Sequence, residues 1–216
     1  MQHYWSRRSL SESSQKALAV AHSFMGIRLQ CAQCHKHPWD EWTQDDFEQF
    51  SRFFDDVRYG VAEDADAEYR QLAEKIGMRI RKGQEGAPIR PEQLAHARDG
   101  KTIPWREVYL RPRKDPLRLS LLGKESVFLK PADDPRRAIM DWLRESDNPW
   151  FAKAIVNRVW ASAFHVGIID PPDDLNAANP PSNPRLLDWL SAEFVKQDYD
   201  LRWLLGEITK SSAWQR

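Results

Sequence analysis

The chain has 216 residues, and its 32 Lys plus Arg are balanced by 32 Asp plus Glu, so no net field recruits nucleic acid or a strongly acidic partner. Ten Trp and nine Phe supply enough bulky apolar surface for a buried core, and the length allows one large or two small domains rather than a disordered chain. No stretch reaches the length of a membrane-spanning helix, and the opening Met1-Gln2-His3-Tyr4-Trp5-Ser6-Arg7-Arg8 lacks the apolar centre of an export signal.

Taken in chain order, Ser11 to Leu29 reads as a helix. Ser and Glu at its start suit capping, and Leu18, Ala21, Met25 and Leu29 recur at helical intervals. This helix is expected to deliver Cys31 at its end. There follows Cys31-Ala32-Gln33-Cys34-His35, which uses both cysteines of the chain and has the spacing by which c-type haem is attached. Two thiols three residues apart lie on one side of a helical turn and can add to the two vinyl groups of a porphyrin, while the next residue presents imidazole to the iron. In that reading Cys31 and Cys34 are thioether anchors and His35 is the proximal ligand, with Met25, Met78 and His22 as candidates for the opposite face. Other readings stay open. Cys31 and Cys34 with His35 or His37 and Asp40 could hold zinc, although a structural site normally closes with four ligands and no second Cys pair exists. A disulfide oxidoreductase needs the pair to open a helix just after a strand, whereas here a helical pattern runs into it. The turn could also carry no cofactor.

Pro38 ends any helical continuation, and Thr43 with Asp46 three residues on resembles a capping box opening the next helix. Phe47, Phe50, Phe53, Phe54 and Val57 give that helix one apolar face. This stripe reads as core packing or, with Trp39 and Trp42, as the wall of a porphyrin site. Residues 61 to 100 are rich in charge, with helical fragments at Ala67 to Ile76 and Pro91 to Arg98, and read as a peripheral insertion. Glu107 to Leu110, Leu117 to Leu121 and Val127 to Leu129 alternate like strands, with a turn at Leu122-Gly123-Lys124-Glu125, so a small antiparallel β element is expected at about 105–130. Beyond it, Asp134-Pro135, Asn148-Pro149 and Asn183-Pro184 each place a capping residue before Pro, and Gly167 marks a helix stop. Helices are expected at about 135 to 146, 149 to 165, 184 to 197 and 200 to 212. The fold class is therefore mainly α: a helical segment at 1–60 carrying the Cys/His run, a charged insertion and small β element at 61–130, and a four-helix region at 131–216.

The run from Phe24 through Cys31-Ala32-Gln33-Cys34-His35-Lys36-His37-Pro38-Trp39-Asp40 to Trp42-Thr43-Gln44-Asp45-Asp46-Phe47 resembles the domain of unknown function that accompanies planctomycete cytochrome c-like proteins. Asp134-Pro135-Arg136, Asp147-Asn148-Pro149-Trp150-Phe151-Ala152, Val156-Asn157-Arg158-Val159-Trp160, Asp173-Asp174-Leu175 and Asn179-Pro180-Pro181-Ser182-Asn183-Pro184 are similar to the partner domain usually found downstream. The resemblance implies a large exported parent protein, hence an extracytoplasmic setting compatible with covalent haem, and a chain that is one piece of it, cut short at its C-terminal end. It implies no reaction.

No Gly-rich phosphate loop, nucleophile elbow or His-Glu-x-x-His run occurs, so no catalytic residues are assigned. Asn157 and Arg158 are the conspicuous polar pair on an otherwise apolar helix, and Arg158 is expected to pin the proline-rich loop through Asp173 or Asp174. Two functions from different classes follow: a haem c module of an electron-transfer protein with a redox partner, or a structural or interaction module whose Cys/His region binds zinc or nothing.

Overall fold

A computed structural model describes residues 10–75, 95, 98–100, 107–123 and 126–215. Helix α1 (Ser13–Val20) opens on Glu12, whose side chain forms a reciprocal capping box with Gln15. It passes into one π-helical turn, Ala21–Met25, which stops at Gly26 in the left-handed conformation, φ 65°. The helix expected to run to Leu29 is therefore shorter, and the reason lies at Gly26. A Cβ there would sit 3.0 Å from Leu175 Cδ1 and 3.2 Å from Ala154 Cβ, so only glycine permits both the backbone reversal and the close approach.

Cys31–Gln33 form a separate 3₁₀ turn, so the thiols are not at the end of α1. Helix α2 (Gln44–Arg52) starts at the expected capping box: Asp46 N–H donates to Thr43 Oγ1 at 3.2 Å, and Thr43 N–H donates to Asp46 Oδ2 at 2.8 Å. It ends sooner than the Phe stripe suggests. Phe53 and Phe54 lie in the turn that follows, and Val57 begins strand β1 (Val57–Gly60). Phe47, Phe50, Phe53, Phe54 and Val57 are nonetheless all buried, because the turn keeps the row pointing inward after the helix has stopped.

Helix α3 (Asp66–Lys75) matches the first helical fragment of the insertion; the second, Pro91 to Arg98, falls largely outside the described residues, as does Met78. Strand β2 (Glu107–Leu110) pairs antiparallel with β1, Val57 opposite Leu110. Strands β3 (Leu117–Ser120) and β4 (Ser126–Leu129) form a second antiparallel pair, Leu117 opposite Leu129. The β element is thus two small sheets, and the first recruits a strand from before the insertion. Each strand is four residues long, too short for its own alternation to reveal which partner it takes.

Helices α4 (Pro135–Leu143), α5 (Phe151–Phe164), α6 (Pro184–Lys196) and α7 (Leu201–Lys210) follow. Asp134 and Asn183 cap α4 and α6 ahead of Pro at the first position. Asn148 Oδ1 accepts from the N–H groups of Trp150 and Phe151, both at 3.1 Å, but α5 begins at Phe151, two residues later than expected. The stop of α5 is His165 at φ 62°, not Gly167. Among the described residues, buried side chains of α1, α2, β3 and α4 to α7 join one core, which the buried residues of α3 do not enter. At its centre Phe50 meets Trp142 edge-on at 6.4 Å, and Trp150 packs against both Trp142 (5.7 Å) and Trp42 (5.4 Å). The chain is thus mainly helical with small antiparallel strands.

Candidate functional site

The 3₁₀ turn at Cys31 is held from beneath and open above. Ala32 is buried, while Cys31, Cys34 and His35 are exposed and both thiols are free. Leu29 and Ala32 anchor the turn in the core next to α2. The two histidines that follow are held in opposite ways. His35 Nδ1 lies 2.7 Å from the Lys36 carbonyl; a carbonyl only accepts, so Nδ1 donates to it, and in the neutral ring Nε2 carries the lone pair. That is the arrangement in which a metal-ligating histidine is normally oriented by its second nitrogen.

His37 is buried and committed. Its Nε2 donates to the Arg28 carbonyl at 2.9 Å, its Nδ1 accepts from the Trp39 N–H at 3.3 Å, and its own N–H donates to the Trp42 carbonyl at 2.7 Å. Asp40 Oδ1 accepts from the Glu41 N–H at 2.9 Å. The zinc alternative of Cys31, Cys34, His37 and Asp40 is therefore not assembled: among the described residues no group of three or more Cys, His, Asp or Glu is placed to hold a metal ion. Cys31, Cys34 and His35 are all exposed on the open side of the turn.

The aromatic wall foreseen around a porphyrin divides. Trp42 and the Phe row belong to the filled core, and only Trp39, 63 % exposed, stands on the surface beside the turn. Met25 is fully buried, so it is spent on packing, and His22 Nε2 faces Asp173 Oδ2 at 3.9 Å.

A second cluster lies behind the turn and was only partly foreseen. Arg158 Nε meets Asp173 Oδ1 at 2.5 Å, its Nη2 donates to the His22 carbonyl at 2.5 Å, and its Nη1 donates to the Ser23 carbonyl. Asn157, wholly buried, accepts from Ile169 N–H and donates to the carbonyls of Ile169 and Pro172. Arg28, whose carbonyl holds His37, reaches Asp174 Oδ1 at 3.6 Å and the Asp173 carbonyl at 3.4 Å. Leu175 N–H donates to the Gly26 carbonyl at 2.8 Å. The expected choice for Arg158 thus falls on Asp173, while Asp174 goes to Arg28. No spacing rule could reveal that the proline-rich loop closes over the backbone leading to Cys31, because its partners lie more than a hundred residues away in sequence.

This joint has a counterpart in the comparisons with known proteins. Residues 3–59 match a family described as Protein of unknown function (DUF1549), and residues 135–216 match one described as Protein of unknown function (DUF1553). Two segments of the chain thus match families of unknown function. Gly26, Arg28 and the Cys/His turn lie in the first matched segment, and Asn157, Arg158 and the loop at Asp173 in the second, so the cluster sits where the two segments meet. No curated protein and no solved structure matches the chain. No helix among the described residues is long and apolar enough to cross a membrane.

Proposed function

We propose that Cys31-Ala32-Gln33-Cys34-His35 is the attachment turn of a c-type haem, and that the chain serves as a haem-bearing module of a larger extracytoplasmic electron-transfer protein. The observation that supports this reading is the contact of His35 Nδ1 with the Lys36 carbonyl at 2.7 Å, which in the neutral ring leaves Nε2 as the acceptor, together with two free, exposed thiols. Cys31 and Cys34 would anchor the porphyrin covalently, His35 would bind the iron, and Trp39 would cover part of the apolar ring. When bound, the haem supplies a one-electron redox couple. The rest of the work falls to this chain: His37 and Arg28 hold the backbone beneath the turn, and the α4 to α7 helices form the partner region that clamps it through Arg158.

Expression with an export signal in a host that matures cytochromes c tests this. An alkaline pyridine spectrum of covalently bound haem is expected, lost on Cys31→Ser with Cys34→Ser, and His35→Ala should alter the ligand field while leaving the thioethers. Correctly folded protein with no covalent haem overturns the proposal. A second reading, a structural or interaction module, rests on His37: its three backbone hydrogen bonds brace the turn with no metal at all, and that module would survive the same experiment unchanged.

A further inference from the structure

The backbone of the Cys31–Gln33 turn is closed tightly. The Cys31 carbonyl accepts from the N–H groups of both Cys34 and His35 at 3.3 Å, and the Ala32 N–H donates to the Leu29 carbonyl at 3.0 Å. A turn closed by a bond from residue i+3 back to residue i keeps those two Cα atoms within about 7 Å, and a disulfide spans Cα separations of about 4.4–6.8 Å. In a 3₁₀ turn the side chains at i and i+3 also lie one above the other, so Cys31 and Cys34 share one side of it. Both thiols are free and exposed, within reach of a reagent from solvent.

The surroundings hold this geometry in place. Leu29 and Ala32 are buried on the inner side. His37 ties the two ends of the segment together, because its Nε2 donates to the Arg28 carbonyl ahead of the turn and its own N–H donates to the Trp42 carbonyl beyond it. Arg28 is in turn paired with Asp174 of the proline-rich loop. Two thiols held side by side react with each other in preference to thiols in solution, since the fold has already brought them together.

We infer that this turn is a redox switch, preset by the fold for a reversible disulfide between Cys31 and Cys34. One thiolate attacks a low-molecular-weight disulfide such as oxidised glutathione, forming a mixed disulfide and releasing one glutathione thiolate; the second thiolate then displaces the other glutathione. The Sγ–Sγ bond replaces the glutathione S–S bond, and the two electrons and both thiol protons leave on two reduced glutathiones. The oxidised turn has no free thiol, so it blocks the covalent attachment proposed above; that consequence rests on the haem reading, whereas the disulfide does not.

The full chain, made without haem, is equilibrated in glutathione buffers, alkylated with a maleimide and weighed by intact mass spectrometry. Two maleimides per chain are expected in reducing buffers, and none in oxidising buffers, where the monomer should be lighter by two hydrogens. Cys34→Ser should instead retain glutathione on Cys31. In one fixed buffer, unfolding by urea should lower the ratio of oxidised to reduced chain about tenfold or more, as the preset geometry is lost. Thiols alkylated in every buffer, a lasting glutathione adduct or disulfide-linked dimers of the unaltered chain, or a ratio unchanged by urea each overturns the inference. Covalent haem from the maturing host with no disulfide in this titration would overturn the switch and leave the haem reading standing, and a disulfide with no haem would do the reverse.

Discussion

His35 and His37 are the same side chain two residues apart with opposite tautomers, set by which backbone group each meets. Lys16 shows the same control by surroundings on a charge. Its ammonium is buried and donates to the carbonyls of Ser11 and Val57, both at 2.8 Å, tying α1 to the start of β1. Burial, and then the neighbouring Arg58, push its pKa from 10.5 down to about 8. Between about 8 and 10.5 the unfolded chain thus binds more protons than the folded one, so the contribution of Lys16 to stability rises with pH across that window. Urea denaturation at several pH values should show this rise, and Lys16→Met should flatten it. Parallel curves for the two proteins would show that Lys16 does not titrate this way.

At the scale of elements, the long connection between α5 and α6 is a clamp rather than slack chain. Asn157 takes up the Ile169 N–H and the carbonyls of Ile169 and Pro172, and Arg158 takes up the Asp173 carboxylate. Arg158 also donates to carbonyls in the π turn ahead of Gly26. Arg158→Ala is expected to lower stability by about 2 kcal/mol and to speed proteolytic cleavage between Ile168 and Asn183. An unchanged cleavage pattern would mean that Arg158 does not hold the loop.

Across the whole molecule, the contact of Phe50 with Trp142 links the two family-matched segments through a fully buried ring. Phe50→Ala should cost about 3–5 kcal/mol, because the removed ring leaves a void that both segments line. If they unfold as one unit, tryptophan fluorescence and far-ultraviolet circular dichroism will report one coincident transition at lower urea. Two separated transitions would show instead that the segments are independently stable.

The sequence by itself determined the features governed by neighbours along the chain. The Thr43–Asp46 box, the caps at Asp134 and Asn183 and the apolar row from Phe47 to Val57 each depend on residues within a turn or two, and so does the Cys/His spacing. It overran where a local pattern was cut by a distant contact: the first helix continued on paper through Gly26, where Leu175 and Ala154 leave room for no side chain. Strand β1 was hidden for the same reason, since its partner lies beyond the insertion. Only the tertiary structure decided that the Phe row is core, that His37 is spent while His35 is open, and that Arg158 and Asp173 close over the backbone behind Cys31. Hydrogen bonds and burial pair groups by proximity in space, and a linear pattern records the appetite of a side chain for a partner without saying which partner the fold will bring.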